Sequence, residues 1–454
     1  MVGNHGVLSL ARKYGTPLHI VNERRLINTA KQFVDQVTAA YPSRVSVHYA
    51  LKCNSVPGIV DAIRLAGLNA EVMTEYELDL AVNLGFAGQQ IIVNGPCKTA
   101  SFLAKCLKNN VRLIIVDSLQ ELDDIDRIAR GRGIKTDILL RVNPDYKPRT
   151  VNKGTSTGTR KCAFGFDIKH GELRNAVSRL QKMNSLNFLG LHMHIGTGIR
   201  DPQDYVRALR RLKPAISDVH ACDFPIRILD VGGGFASMTT REFTTWEMLA
   251  SQTFAHLPEH ESDDTVDIAG FAHSISAEVS KIFNGKNLPE LLYEPGRCIA
   301  SANQFLLLTV HRTKKRNDIG TWLVADGGLS TVTLPTYYEH HEVFLCDDIN
   351  RPRTQHATLI GPACFAGDII YKNKLMPEVN PGEVIAIMDS GAYFTALESS
   401  FGFPRPAILV INGAECTIVR ARETYDDMIS RDIFNEENEH EIRNHEKHCF
   451  SLVG

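Results

Sequence analysis

The sequence predicts an α/β barrel of the (β/α)8 type joined to a second, antiparallel β domain. Three observations carry this. Between Arg24 and Arg297 short apolar runs alternate with longer amphipathic segments, the pattern of repeated βα units around a parallel sheet. Eight such runs fall in that stretch, as many as a closed barrel needs. After Arg297 the rhythm becomes strand after strand with turn signals between. At 454 residues the chain exceeds what one core supports and has room for a barrel of about 250 residues plus a second domain.

In chain order, the barrel strands are expected at Val45–Leu51, Asn69–Met73, Gln90–Asn94, Leu113–Asp117, Asp137–Asn143, Phe188–His194, Arg227–Val231 and Leu291–Glu294. Each is apolar or β-rich and runs into Gly, Asn, Pro or a polar loop. The β domain is expected to use Ala302–Val310, Thr321–Asp326, His356–Gly361, Glu383–Met388, Ala407–Ile411 and Glu415–Arg420. The opening run Thr16–Val21 fits a strand of that domain, with the barrel inserted between. The expected division is therefore 24–297 for the barrel, and 1–23 with 298–454 for the β domain. His256–Gly270 reads as an exposed polar insertion, and the charged run Asn435–His448 as a solvated tail. That tail holds His440, His445 and His448, but it lacks anchoring apolar residues, so no metal site is expected there.

Composition narrows the function. Hydrophobic residues at 43% and charged residues at 22% exclude disorder as a whole-chain description. Fifty Lys and Arg oppose 52 Asp and Glu, a formal charge of −2, so no global field recruits nucleic acid or an anionic membrane. A small-molecule ligand is expected instead. No apolar stretch approaches the roughly 18 to 20 residues that span a bilayer, and the start MVGNHGVLSLARKYG lacks the regions of a secretory signal, so the expected location is the cytoplasm. The ten cysteines are dispersed without a C-x-x-C and read as reduced thiols, most of them core filler.

In a parallel barrel the working groups stand at the C-terminal ends of strands. Val45–Leu51 ends in Lys52, whose amine at a barrel mouth can act as a Schiff-base nucleophile if desolvation and nearby cations lower its pKa; a lone Lys after a strand is more often a surface residue. Phe188–His194 ends in His192-Met193-His194-Ile195-Gly196-Thr197. Alternation turns His192 and His194 to the same inward side, where an imidazole can stack on a planar ring and Thr197 can donate to a phosphate. A pair of satisfied barrel histidines and a metal pair are the other readings, and no further Asp/His set completes a metal site. Arg227–Val231 runs into Gly232-Gly233-Gly234, whose backbone N–H groups can approach an anion closely. The last strand ends in Glu294-Pro295-Gly296-Arg297, an anion and a cation at one turn, which by itself is also consistent with a local ion pair. Together they suit one ligand with an aldehyde, an aromatic ring, a ring nitrogen and a phosphate. Pyridoxal phosphate has all four.

Beyond these residues, the chain resembles the pyridoxal-phosphate decarboxylases of the alanine-racemase-like fold (fold type III), the group of diaminopimelate, ornithine and arginine decarboxylases, from Gly15 to Asp432. The motifs that carry it are Tyr49-Ala50-Leu51-Lys52-Cys53-Asn54, Leu139-Leu140-Arg141-Val142-Asn143, Lys161-Cys162-Ala163-Phe164-Gly165, His194-Ile195-Gly196-Thr197, Asp230-Val231-Gly232-Gly233-Gly234-Phe235, Glu294-Pro295-Gly296-Arg297, Gly361-Pro362-Ala363-Cys364 and Ser390-Gly391-Ala392-Tyr393. The resemblance implies that Lys52 anchors the cofactor covalently, His194 stacks on its ring, Glu294 pairs with the ring nitrogen and Arg141 lies near the ring hydroxyl. It implies a phosphate site of Thr197, Gly233, Gly234, Gly296, Arg297 and Tyr393. It also implies a head-to-tail homodimer in which Cys364 reaches the other subunit's site and helps return a proton after carbon dioxide leaves.

The departures concern substrate. In the resembled family the residue after that cysteine is Glu in diaminopimelate decarboxylases and Asp in ornithine decarboxylases, each anchoring a distal ammonium; here it is Phe365. A phenyl ring cannot supply that counter-charge, and an unpaired ammonium in a closed site is costly. The diaminopimelate enzymes also carry Arg-Pro-x-x-Tyr to grip a distal carboxylate, whereas this chain reads Leu334-Pro335-Thr336-Tyr337-Tyr338, with Leu334 for the Arg and Tyr338 retained. The ending Arg422–Asp427 still resembles the diaminopimelate branch. The expectation is an amino-acid α-decarboxylase of that branch with an altered substrate, in a specialised biosynthetic role. The alternatives are diaminopimelate decarboxylation itself, with Arg351 or Arg353 replacing the missing grip, and an inactive paralogue that binds a partner. Tyr146–Arg160, with Lys147, Arg149, Lys153 and Arg160, reads as a mobile lid able to meet an acidic substrate.

Overall fold

A computed structural model of the chain describes residues 1–149, 151, 154–237, 239–254, 266–332 and 339–432. Its strands, in chain order, are β1 (Leu18–Asn22), β2 (Val45–Ala50), β3 (Asn69–Val72), β4 (Ile91–Val93), β5 (Leu113–Val116), β6 (Thr136–Asn143), β7 (Phe166–Asp167), β8 (Leu186–His192), β9 (Ile228–Asp230), β10 (Arg241–Glu242) and β11 (Glu290–Tyr293). Then come β12 (Gln304–Arg316), β13 (Gly320–Ala325), β14 (Glu339–His340), β15 (Val343–Leu345), β16 (Arg353–Ile360), β17 (Ile369–Pro377), β18 (Val384–Ile387), β19 (Ala407–Asn412) and β20 (Glu415–Arg420).

Strands β2, β3, β4, β5, β6, β8, β9 and β11 pair in parallel in that order, and β11 pairs back onto β2, which closes the barrel. The alternation of these strands divides two apolar layers. Ile92, Leu113, Ile115, Leu139, Ile228 and Leu292 form the packed interior. Their neighbours Ile91, Val93, Ile114, Val116, Leu140, Leu229 and Leu291 face outward into the larger core beneath the helices. Side-chain caps launch several helices soon after strand ends: Thr74 accepts from Glu77 N–H, Thr99 from Phe102 N–H and Ser118 from Glu121 N–H. Short connections of this kind put the strand ends, and what they carry, at one mouth.

The second sheet runs β17-β16-β13-β12-β1-β19-β20, with β18 and β15 continuing from β12. Most of its pairings are antiparallel, as the sequence leads one to expect, but β1 pairs parallel with β19 and β13 with β16. A parallel pair needs a long crossover rather than a hairpin. The whole barrel separates β1 from β19, and residues 326–352 separate β13 from β16, so both connections are long enough. The short β7, β10, β14 and β15, and the longer β17, are additional to the predicted strands. In β17 the Lys372-Asn373-Lys374 stretch hides the alternation, and Asn373 at φ 48° marks an irregular register against β16. The separate two-strand pair β10–β14 ties the loop after β9 to the segment that precedes β15. No helix among the described residues is long and apolar enough to cross a membrane.

Candidate active site

On β2, Val47 and Tyr49 pack outward. Ser46, His48 and Ala50 therefore share the inward face, and Lys52, in the 3-10 turn Leu51–Cys53 that follows, stands at the mouth. Its Nζ lies 2.5 Å from Glu71 Oε2 of β3. Glu71 is almost fully buried, and its inward position follows from Ala70 and Val72 packing outward. The sequence leads one to expect a lowered Lys52 pKa, and the structure corrects this. Burial does act to lower it, but the Glu71 and Glu294 carboxylates outweigh that and hold the amine above its ordinary value. Burial in turn pushes Glu71 up, against the pull of Lys52.

At the end of β11, Glu294 is 3% exposed. Asn94, directly after β4, donates through Nδ2 to both Glu294 oxygens at 3.1 and 3.4 Å, and His192 Nε2 stands 3.5 Å from Glu294 Oε2. Burial would raise Glu294, yet His192 and Lys52 hold it well below the ordinary carboxylate range. His192 itself is pushed down by burial, which the Glu294 charge only partly opposes. Asp230, at the end of β9, shares this pocket: one ligand atom each from His192, Asp230 and Glu294 lie within 4.8 Å of one another.

Leu191 and Met193 pack outward, leaving His192 and His194 on the inner side. His194 Nδ1 accepts from Gly233 N–H at 3.3 Å. Burial, then the Arg141 and Lys52 charges, push the imidazole down to about 3, so it is neutral at pH 7. Arg141, inward on β6, lies 3.6 Å from Asp117 and 4.5 Å over the Phe164 ring. The glycine run has a packing reason as well as a ligand one. A Cβ on Gly233 would meet Glu294 O at 2.1 Å, and one on Gly234, at φ +99°, would meet Gly196 O at 2.0 Å.

Arg297 is buried and draws Thr197 and Tyr393 together. Its Nε donates to Thr197 Oγ1 at 3.3 Å, its guanidinium lies 5.0 Å over the Tyr393 ring, and its Nη1 donates to Glu339. Glu339 also meets His341 at 3.1 Å. Tyr393 comes from the second sheet's side of the molecule, at φ +64°, and its N–H donates to Cys53 O at 2.9 Å. Gly296 sits against Cys53, where an added Cβ would come within 2.9 Å of its side chain.

Cys364 and Phe365 lie away from these strand ends, exposed on the β16–β17 connection that Asp368 organises by accepting from Ala363 N–H and Leu329 N–H. Phe365 is 50% exposed, with its ring centroid 6.1 Å from that of Phe401. Arg351 is held by Glu383 at 2.8 and 2.9 Å, and Arg353 by Glu342 at 2.9 Å, so both guanidiniums are committed at places other than the mouth. Leu334 and Tyr338 lie outside the described residues, as do Lys153, most of the 256–270 insertion and the tail. The Tyr146–Arg160 segment is anchored where it is described: Tyr146 donates to Asp204 at 2.5 Å, Arg160 reaches Asp167 at 3.1 Å, and Thr157 donates to His194 O at 3.2 Å. Residues that the sequence reading left out are Glu71, Asn94, Asp117, Glu339 and His341. For the first three a signal exists, since each is polar within or directly after an apolar strand run.

Three buried polar atoms at the mouth, Glu71 Oε1, His192 Nδ1 and Asp230 Oδ2, have no hydrogen-bond partner among the described residues. Unmet groups of this kind are costly in a finished core and expected where a polar ligand belongs. An amine, a buried anion, a neutral imidazole and a cation around them fit pyridoxal phosphate. Comparisons with known proteins agree. The family model for the pyridoxal-binding domain of pyridoxal-dependent decarboxylases matches residues 24–301, and that for their C-terminal sheet domain matches 298–391. The chain is 30% identical to a Mycobacterium bovis diaminopimelate decarboxylase, covering 93% of this chain and 92% of the relative, and 26% identical to one from Bacillus subtilis, covering 95% and 94%. A crystal structure of diaminopimelate decarboxylase from Methanocaldococcus jannaschii superposes with a TM-score of 0.84 at 25% identity, over 95% of each chain. The chain belongs to the pyridoxal-dependent decarboxylases, and is a carboxy-lyase whose cofactor is pyridoxal phosphate.

Proposed function

We propose that the chain removes the α-carboxyl group of an amino acid whose side chain carries no simple terminal ammonium. Phe365 is the observation that carries the substrate half of this reading. It stands beside Cys364, where the family resemblance leads one to expect an acid, and it offers an exposed apolar ring instead.

Pyridoxal phosphate supplies the electron sink for the charge left at the α-carbon. The chain's residues supply the rest. Lys52 would hold the cofactor, and Glu71, 2.5 Å from its amine, would hold that amine when it is free. Glu294 would accept the hydrogen bond of a protonated ring nitrogen, and the neutral His194 would adjoin the ring without adding charge. Asp117 and Phe164 fix Arg141 for the ring hydroxyl. Thr197, Gly233, Gly234, Gly296, Arg297 and Tyr393 receive the phosphate. Cys364, contributed by a second copy of the chain in a homodimer, returns a proton to the α-carbon. The barrel is assigned to 24–297 and the β domain to 1–23 with 298–454, and the enzyme to the cytoplasm.

The second reading is diaminopimelate decarboxylation, favoured by the names of the relatives above and by an M. jannaschii enzyme structure in co-complex with L-lysine. The commitment of Arg351 and Arg353 to Glu383 and Glu342 weighs against the replacement grip that it needs. Carbon dioxide release from a panel of L-, D- and meso-amino acids, with Lys52→Ala as control, separates the two. Release from neutral or acidic substrates but not from diaminopimelate, ornithine or lysine is expected. Release chiefly from diaminopimelate overturns the substrate reading and keeps the reaction. Pure protein with no cofactor absorbance and no turnover would instead mark an inactive partner-binding paralogue.

A further inference from the structure

Asp230 is a mouth residue to which the reading above gives no task. It is fully buried, and its Oδ1 accepts the Gly232 N–H at 2.8 Å, starting the glycine turn. Its Oδ2 has no hydrogen-bond partner among the described residues, and its carboxyl lies in the same pocket as that of Glu294, with an atom of each within 4.8 Å. Two carboxyls that close in a dry site do not both ionise. The surroundings decide which one keeps the proton. Glu294 has the Asn94 amide, His192 and the Lys52 charge, whereas among the described residues the hydrogen bond that Asp230 accepts is from the Gly232 N–H. The charge therefore settles on Glu294 and the proton on Asp230. Burial, then the Glu294 charge, push Asp230 well above the ordinary carboxylate range, while Glu71 adds to the same effect. A protonated Oδ2 is also the donor that its own position lacks.

We propose that Asp230 acts as a neutral acid whose Oδ2–H donates to Glu294, making it a positioning residue that keeps the Glu294 carboxylate anionic and fixed. This rests on the reading that Glu294 serves the ring nitrogen of pyridoxal phosphate. A carboxylate that already accepts a hydrogen bond is a weaker base, so the shared proton stays on the ring nitrogen, where the electron sink needs it. No proton leaves Asp230 in this role.

The test compares Asp230→Asn and Asp230→Ala for pyridoxal phosphate affinity and for the absorption spectrum of the bound cofactor, each in the native and the Glu294→Gln backgrounds. Asparagine keeps an oxygen for Gly232 and an N–H for Glu294, so Asp230→Asn is expected to retain affinity and spectrum. Asp230→Ala is expected to weaken binding by about tenfold or more, the worth of a hydrogen bond to a charged acceptor, and to shift the spectrum. That loss shrinks in the Glu294→Gln background if Asp230 acts through Glu294. Equal losses in both backgrounds, or an Asp230→Asn as damaging as Asp230→Ala, overturn the proposal while leaving the Glu294 reading intact. A Glu294→Gln variant with unchanged affinity and spectrum overturns the Glu294 reading itself and the proposal with it. If Asp230→Ala does not fold, infrared difference spectra between the wild type and Asp230→Asn decide the matter. A protonated carboxyl band present at neutral pH only in the wild type is expected, and its absence overturns the proposal.

Discussion

The two ends of the barrel are both polar, the N-terminal end partly buried and the mouth largely buried, and they differ in how far their polar atoms are paired. At the N-terminal end, Ser46 bonds to His48 at 2.9 Å and to Asn69 at 3.2 Å, Arg112 donates to Ser46 at 2.9 Å and to Glu290 at 2.7 Å, and His48 Nδ1 meets Ala70 O at 3.4 Å. None of these groups has a buried polar atom left over. At the C-terminal mouth, Glu71, His192 and Asp230 each do. The strand face Ser46-His48-Ala50, with Lys52 in the turn that follows it, crosses from one regime to the other. The lower end is a finished hydrogen-bonded plug that contributes stability, and the mouth is left incomplete in a way that a ligand can finish.

The largest effect expected from this contrast is at the mouth. Lys52→Ala should cut carbon dioxide release by on the order of a thousandfold or more and abolish the cofactor absorbance, and because it strands the buried Glu71 carboxyl it should also lower the unfolding free energy by about 1 to 3 kcal/mol. Comparable turnover in the variant would break the assignment of the mouth as the working end. At the plug the balance reverses. Arg112→Ala removes the nearer of two guanidiniums at the partly buried Glu290, leaving Arg44 at 4.0 Å, and should cost about 1 to 2 kcal/mol in denaturant unfolding, with kcat per folded molecule unchanged.

His48 sharpens the same distinction through pH. Burial, then the nearby Arg112 charge, push its imidazole down to about 3 from an ordinary value near 6.5. The unfolded chain therefore binds a proton that the native chain refuses between those values, and stability from this group is full above pH 6.5 and falls as the pH drops towards 3. A His48→Gln variant should show an acid-side stability slope shallower by up to about 1.4 kcal/mol per pH unit, and an unchanged slope would show that His48 is protonated in the native chain. The smallest stability effect is expected on the exposed β16–β17 connection, away from both ends. Phe365→Glu should change unfolding free energy by less than about 0.5 kcal/mol, yet raise kcat/KM for substrates with a distal ammonium relative to those without one. No change in that ratio would remove Phe365 from substrate selection.

Much of the frame was legible in the chain itself. Runs such as Leu113–Val116 and Ile91–Val93 announce barrel strands because both faces of the parallel sheet are apolar, and the polar residues that follow them mark the mouth. Lys52, His192 and Glu294 could be placed there from alternation and strand ends. The strand β17 could not, because its lysines and its positive-φ Asn373 hide the period, and neither could the parallel β1–β19 pairing, which joins segments nearly 400 residues apart. Glu71 was visible as a charge inside an apolar run, but nothing in sequence assigned it to Lys52.

Sequence alone determined the alternation, the order of strands and the residue types delivered to each strand end, since these follow from local periodicity and covalent order. Tertiary structure decided which of those groups meet. Strand pairing places Glu71 beside Lys52 through β2–β3 and Asp230 beside Glu294 through β9–β11, and the C-terminal part of the chain brings Tyr393 over Arg297 and Glu339 to its guanidinium. Charge states depend on these meetings because burial and neighbouring charge act through space, not along the chain.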